Sequence, residues 1–180
     1  MNEQQLIEGC QKRDRRAQKE LYEKYSRLMM GICFRYLGDK ETAGDVMQDG
    51  FVTVFSAIDS FKGIGSFEGW MKKIFINRAI EELRKNDVLR NAVDLDDVNE
   101  TASPDESTLS GISAKELLDL ISGLPPGFRS IFNLFAVEGY SHKEIAEMLG
   151  ISESTSRSQF LRARHLLQVK INDLYGTVYI

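Results

Sequence analysis

The sequence predicts an all-α protein of two small helical domains joined by a flexible acidic linker. Apolar residues recur at helical spacing almost throughout residues 1–90 and again from residue 113, and no strand pair with hairpin turn chemistry occurs. Residues 91–112 interrupt this pattern, because they combine acidic, Ser, Thr and Pro residues with few large apolar ones. We therefore place two domains at residues 1–90 and 113–180 and a linker at 91–112.

Three helices are expected in the first domain. The first contains an apolar stripe from Leu21 to Tyr36 and ends at Gly38. A second is expected at about residues 40–60 and a third at about residues 66–86, with a loop rich in Gly and Ser at 59–66. Four apolar residues mark the inward face of the second helix: Met47, Phe51, Val54 and Ile58.

The charges are distributed unevenly along the chain. The net charge is −4, yet residues 1–90 carry 16 basic against 14 acidic residues, residues 91–112 carry none against 6, and residues 113–180 carry 7 against 7. The linker therefore holds all of the net negative charge. Basic residues of either domain can still cluster on one face and bind nucleic acid.

Several classes of protein are disfavoured by what the sequence lacks. It contains neither a long apolar run nor a signal-peptide pattern, so we expect a cytoplasmic protein without membrane insertion. Cys10 and Cys33 have no Cys or His partner at metal-ligand spacing and are expected to be free thiols. His142 and His165 are isolated, and no nucleotide-binding glycine loop occurs. We expect no enzyme activity, catalytic residue, metal, cofactor or small-molecule substrate.

The segment 141–164 has the pattern of a helix-turn-helix. Ser141 and Glu144 form a capping box at the start of one helix, and Ile145, Ala146 and Leu149 are expected to face inward. Gly150 allows the reversal that follows, and Ser152 can cap the next helix. Six residues form the inward stripe of that second helix: Ser156, Phe160, Ala163, Leu167, Ile171 and Leu174. Ser156 is unusual there, because a larger apolar residue is typical; its hydroxyl can bond to the Ser152 carbonyl, or the crossing can be looser.

The outer face of this second helix carries side chains suited to DNA. Arg157 can contact guanine or phosphate, Ser158 and Gln159 can hydrogen-bond to base edges or backbone, and Leu161 can meet a thymine methyl. Arg162 and Arg164 suit phosphate contacts, and Ser154 and Thr155 complete the face. A helical hairpin with an ordinary charged face is the alternative that the residues alone leave open.

Two blocks of sequence resemble the extracytoplasmic-function sigma factors of the sigma-70 class. The C-terminal block resembles their region 4, a four-helix, winged-helix-like unit that reads the minus-35 promoter element; it contains Leu124, Pro125, Arg129, EGYSHKEIA at 138–146, LGIS at 149–152 and RAR at 162–164. The N-terminal block resembles region 2, which binds polymerase and opens the minus-10 element; it contains DVMQDGF at 45–51, Phe55, Phe67, Trp70, Asn77 and LRK at 83–85.

This resemblance implies roles for residues of the first domain. Core polymerase binding is implied for one exposed face of the second helix: Asp45, Gln48, Asp49 and Val52. Contacts with minus-10 DNA are implied for the loop and the third helix: Phe61, Ser66, Lys72, Lys73, Asn77, Arg78, Arg84 and Lys85. Phe67, Trp70, Ile74 and Phe75 are expected in the core instead. Gly44 and Gly50 depart from the family pattern, and each costs about 1 kcal/mol of helix propensity relative to Ala.

The resemblance also implies partners. They are bacterial core RNA polymerase, promoter DNA and an anti-sigma protein that holds the factor inactive. The acidic linker is expected either to run into polymerase as a nucleic-acid mimic or to act as a solvated tether. A stand-alone DNA-binding regulator and an adaptor without DNA binding remain alternatives, and the region 2 residues favour the sigma factor because a regulator does not need them.

Overall fold

The computed structural model describes residues 1–85 and 113–175. Helices form most of this part of the chain, and it contains no β-strand, which confirms the all-α prediction. The chain divides into two compact units, Met1–Glu82 and Leu83–Ile180. The predicted linker at 91–112 lies outside the described residues.

The first unit contains one helix more than the sequence pattern predicted. Its helices are α1 (Glu3–Gln11), α2 (Arg15–Leu37), α3 (Lys40–Ala57), the 3-10 turn Ile58–Ser60 and α4 (Phe67–Lys85). The additional helix, α1, starts at a capping box formed by Asn2 and Gln5 and buries Leu6, Ile7 and Cys10. Gly38 ends α2 as predicted, and the other two helices match the expected spans to within a few residues.

Aromatic rings form the centre of the first unit. Phe67, Phe75 and Tyr36 are among its largest fully buried side chains, and Phe51 meets Phe75 edge to face at 5.1 Å. Gly50, one of the two unexpected glycines, is buried against the ring of Phe75. Trp70, which was expected in the core, is half-buried beside Phe67 and lies at the edge of the core.

Both cysteines are buried free thiols, as predicted. Burial raises the pKa of Cys33 to about 12, so its thiol is protonated and unreactive at neutral pH. Burial also raises the pKa of Cys10.

The second unit has four helices within residues 113–175. They are α5 (Ala114–Ser122), α6 (Pro126–Phe132), α7 (His142–Leu149) and α8 (Glu153–Tyr175), and the π-helical turn Asn133–Val137 follows α6. The π-helical turn is wider than a regular α-helical turn, and the fully buried Asn133 lies at its start.

The core of the second unit joins α5, α6 and α8. Its buried apolar residues are Ile121, Leu124, Phe128, Ala163 and Leu167. Arg129 is also buried, and it donates a 2.5 Å hydrogen bond to the Ser122 carbonyl at the end of α5. The inward stripe predicted for α8 ends at Ile171. Leu174 is 66% exposed, because it borders an open groove beside α5 rather than a packed neighbour.

Candidate nucleic-acid interface

The helix-turn-helix of the second unit is built by local capping. The Ser141 hydroxyl accepts from the Glu144 amide, and the Glu144 carboxylate accepts from the Ser141 amide at 2.8 Å. Gly150 ends α7 with φ of 68°, a left-handed conformation that favours glycine. Ser152 then caps α8, since its hydroxyl accepts from the Thr155 amide at 3.0 Å. Each of these three caps was predicted from the sequence.

The first turns of α8 present a polar and apolar outer face. Ser154, Arg157, Ser158 and Leu161 are exposed, and Thr155, Arg162 and Arg164 are half-buried at its edges. Leu161 is 50% exposed, so its side chain is accessible for contact with a thymine methyl. Arg157 forms an ion pair with Glu153 at 2.5 Å, one turn earlier. The carboxylate offsets part of the positive charge that Arg157 presents, while the other N–H donors of the guanidinium stay available.

Gln159 does not belong to this face, which corrects the sequence-based assignment. Its side chain is only 4% exposed, since a step of three residues from the buried Ser156 places it on the inward side of α8. Its amide cannot reach a base edge in this conformation. Gln159 therefore contributes to the packing of the helix-turn-helix rather than to a DNA-binding surface.

Ser156 has a different partner from the one expected. Its hydroxyl lies 3.0 Å from Nδ1 of His142, the first residue of α7. Burial lowers the pKa of His142, the positive charge of Arg157 lowers it further, and Glu153 has a smaller opposing effect. The ring is therefore neutral at physiological pH.

Three of the predicted DNA-binding side chains share one face of α4, whose last three residues belong to the second unit. Lys73, Asn77 and Arg84 are all exposed, and their spacings of four and seven residues place them along one line of the helix. Arg84 also donates a hydrogen bond to the Met148 carbonyl of the second unit. Lys85 is exposed on an adjacent face. Two cations and one amide along this line can follow a nucleic-acid backbone while contacting a base.

Two further predicted cations are engaged within the first unit. Lys72 forms an ion pair with Glu68 at 2.7 Å. Arg78 donates to the Thr53 hydroxyl of α3, at 2.9 Å from Nη2, and pairs with Glu81 at 3.2 Å. Because Arg78 joins α4 to α3, it has a structural role that its sequence position did not reveal.

A compact aromatic group borders the loop before α4. Phe61 is half-buried, with ring centroids 5.1 Å from Phe67 and 5.6 Å from Trp70. Ser66 is exposed, and its hydroxyl accepts from the Gly69 amide, so it caps α4. Between them, Gly63 and Gly65 have φ of 72° and 79° and hold Ile64 out with 85% of its surface exposed. This loop offers aromatic walls and an apolar tip to an unstacked base.

The face of α3 that was assigned to polymerase binding is exposed throughout. Asp45, Gln48, Asp49 and Val52 all point to solvent, and Val52 is 64% exposed. The opposite side of the helix is buried through Ala43, Val46 and Val54. These four side chains are therefore all accessible to a partner protein.

Metal centres and membrane spans each need a particular arrangement of side chains or helices. Within residues 1–85 and 113–175, no group of three or more Cys, His, Asp or Glu side chains is arranged to hold a metal ion. None of the helices in these ranges is both long enough and apolar enough to span a membrane.

Two family models match the chain, one to each unit. The model of Sigma-70 region 2 matches residues 21–88, and that of Sigma-70, region 4 matches residues 114–167. The chain belongs to the sigma-70 family. Members of this family are transcription initiation factors, which bind core RNA polymerase and direct it to promoters.

Curated relatives match the sigma-70 chain over nearly its full length. The ECF RNA polymerase sigma-E factor of Haemophilus influenzae is 28% identical over 185 residues, 97% of each chain. The RNA polymerase sigma-H factor of Pseudomonas aeruginosa is 29% identical over 183 residues, 96% of this chain and 95% of the relative. These relatives place the chain in the extracytoplasmic-function group.

Solved structures share the fold. CnrH in complex with the cytosolic domain of CnrY has a TM-score of 0.50 and 21% identity, covering 93% of this chain and 96% of CnrH. The sigma factor RpoE in complex with the anti-sigma factor NepR from Bartonella quintana has a TM-score of 0.52 and 20% identity, covering 87% of this chain and 97% of RpoE.

Three side chains near the candidate surfaces were not assigned from the sequence. Glu153 pairs with Arg157, and the i, i+4 spacing of opposite charges was the available signal. Ile64 is exposed at the loop tip, where two flanking glycines gave a signal. The partnership of His142 with Ser156 had no local signal, because fourteen residues separate them.

Proposed function

We propose that this extracytoplasmic-function sigma factor uses its two units for the two halves of promoter recognition. The face of α3 with Asp45, Gln48, Asp49 and Val52 docks on core RNA polymerase. The loop before α4 and the exposed line of Lys73, Asn77 and Arg84 hold the opened minus-10 strand. The outer face of α8 reads the minus-35 element in the major groove. We assign no enzyme activity to the chain and place its action in the cytoplasm.

The observations that carry this proposal are the exposed line on α4 and the aromatic loop that precedes this helix. A stand-alone regulator that binds duplex DNA needs a helix-turn-helix but has no use for aromatic walls next to cations and an amide. An unstacked base requires both the aromatic walls and the polar groups, since stacking on a ring replaces the stacking lost in the duplex. The first unit therefore favours promoter opening over duplex binding alone.

The cations that engage other side chains have secondary roles in this proposal. Lys72 and Arg78 support α4 through Glu68, Thr53 and Glu81, and Lys72 can still attract phosphate from its half-exposed position. On α8, Arg157 is the principal contact, with Arg162 and Arg164 at the edges on phosphates. Gln159 is not among the α8 residues that we propose to contact DNA.

An anti-sigma protein is a further proposed partner. Both solved relatives were determined as complexes, one of them with the anti-sigma factor NepR. The exposed Val52 and Ile64 of this chain are apolar side chains that such a partner can cover. The role of the acidic linker stays open between a nucleic-acid mimic in polymerase and a solvated tether.

Transcription in vitro tests the proposal. The full chain is mixed with core polymerase from the source bacterium and sheared genomic DNA, and the 5′ ends of the transcripts are sequenced. We expect start sites that depend on the chain and share two upstream elements. A chain that protects duplex DNA alone and does not bind core polymerase would instead identify a stand-alone regulator.

A further inference from the structure

A fully buried hydroxyl lies between the two helices of the helix-turn-helix. The side chain of Ser156 has no exposed surface, and it shares the inward face of α8 with Ala163 and Leu167. A buried hydroxyl destabilises a fold unless it has a hydrogen-bond partner. The partner here is Nδ1 of His142, at 3.0 Å, on the first turn of α7. The hydrogen bond therefore joins α7 directly to α8.

The imidazole of His142 is itself held by a stack of rings. It lies parallel to Phe135 in the π-helical turn, with centroids 4.2 Å apart and planes 11° apart. Phe160 of α8 lies 4.5 Å from Phe135 and 5.8 Å from His142. Since Phe160 follows Ser156 by one helical turn, α8 contacts this cluster at two successive levels. Two contacts at different levels fix both the crossing angle and the rotation of a helix.

The cluster lies at the level of the side chains that face DNA. Arg157 is the residue after Ser156, and Leu161 is the residue after Phe160. Both are exposed, while their neighbours are turned towards His142. A rotation of α8 at this point would move both outward side chains relative to the major groove.

We propose that His142 is a positioning residue for recognition of the minus-35 element. Its ring, held against Phe135 and Phe160, sets the orientation of α8 through the hydrogen bond to Ser156. This inference rests on the proposed function, because it concerns how the same α8 surface meets DNA. The bond forms with either neutral tautomer: the serine donates when the ring proton is on Nε2, and the ring donates when it is on Nδ1.

A double-mutant cycle in the full chain tests this role. The variants are His142→Phe, which keeps a ring for stacking, Ser156→Ala, and the two combined. Ser130→Ala is the matched control, because this equally buried hydroxyl donates to the Pro126 carbonyl within α6, at 2.8 Å, and does not join two helices. The readout is the ratio of transcripts from the most active genomic promoter to those from the same promoter with its minus-35 element replaced.

Each single variant is expected to lower this ratio by about three- to tenfold, the range expected for one lost buried hydrogen bond. The transcript ratio of the double variant should fall no further than that of the more affected single variant, because one hydrogen bond can be lost only once. Ser130→Ala should leave the ratio unchanged. This separation distinguishes a change in promoter reading from a general loss of folded protein, which would lower both transcripts equally.

Three results would overturn the proposal: an unchanged ratio in both single variants, a double loss equal to the product of the single losses, or an equal loss in Ser130→Ala. Amide hydrogen exchange of α8 in each full chain reports whether the variant folds, and His142→Leu, which has no hydrogen-bonding group, replaces His142→Phe where the latter does not fold. A wild-type chain that yields no promoter-specific transcript refutes the proposed function before any variant is compared, and with it the role of His142.

Discussion

The ring of Phe75 occupies the space where a side chain at position 50 would lie. An ideal Cβ on Gly50 would stand 2.3 Å from Cε1 and 2.5 Å from Cδ1 of Phe75, well inside van der Waals contact. Gly50 is therefore required for α3 and α4 to pack this closely. Gly44, in the same helix, has no such neighbour within 4 Å.

These two glycines predict opposite effects of the same substitution. Gly50→Ala should lower the free energy of unfolding by about 1–3 kcal/mol, because overpacking outweighs the gain in helix propensity. Gly44→Ala should raise it by about 1 kcal/mol, because only the propensity changes. Urea unfolding of the two full-length variants, followed by circular dichroism, measures both. Stabilisation by Gly50→Ala would show that the packing against Phe75 relaxes without cost.

Asn77→Ala should impair promoter opening more than polymerase binding. Its amide is exposed on α4, the helix that follows the loop proposed to hold an unstacked base, and loss of one hydrogen bond to the opened strand should lower open-complex formation about two- to tenfold. Asp49→Asn on α3 is the matched control, and it should weaken core binding but recover full opening at saturating core polymerase. Permanganate reactivity and a core-binding titration separate the two. Equal opening by Asn77→Ala and wild type would remove Asn77 from the site.

Arg157→Ala should weaken use of the minus-35 element and make binding less sensitive to salt. Removal of one phosphate contact should reduce the slope of log affinity against log salt by about one. Glu153→Gln should retain or strengthen binding, because it frees Arg157 from its 2.5 Å ion pair and removes a negative charge. Closed-complex formation by the holoenzyme at several salt concentrations measures these slopes. Weaker binding in Glu153→Gln would mean that the ion pair orients Arg157 for DNA.

The protection of the backbone amides of α7 and α8 against hydrogen exchange should fall as the pH is lowered. The pKa of His142 in the folded chain is below its ordinary value of about 6.5, because burial and Arg157 disfavour the charged ring. The unfolded chain therefore takes up the proton more readily. The stability from the neutral ring is complete above about pH 6.5 and is lost as the pH falls through the folded pKa.

Amide hydrogen exchange from pH 7.5 to pH 5, corrected for intrinsic exchange rates, measures this loss in the full chain. His142→Phe should lack the part of the pH dependence that belongs to this ring. The same pH dependence in both proteins would show that His142 does not couple protonation to stability.

Features with local causes were the ones that the sequence predicted well. The capping box of α7, Gly38, Gly150 and the Ser152 cap depend on residues within one turn of each other, and these were correctly assigned. Gln159 was misplaced although the step from Ser156 contained the needed information. A position three residues after a buried helical residue indicates an inward side chain, whatever the chemistry of that side chain suggests.

Contacts between distant residues could not be predicted in the same way. The approach of Phe75 to Gly50 and the bond between His142 and Ser156 depend on how whole helices cross. The exposure of Leu174 could not be predicted for the same reason. Its spacing along α8 is that of an inward residue, and it is exposed because no other helix packs against it. The engagement of Arg78 with Thr53 likewise required the position of α3.

We infer that this chain gives core polymerase the ability to open particular promoters. Permanganate reactivity of thymines in the minus-10 region of a promoter found by genomic transcription tests it most directly. We predict reactive thymines only when core polymerase and the chain are both present, with fewer in Asn77→Ala. Thymines that stay unreactive with both proteins present, while the chain alone protects the upstream duplex, would contradict the claim and identify a duplex-binding regulator.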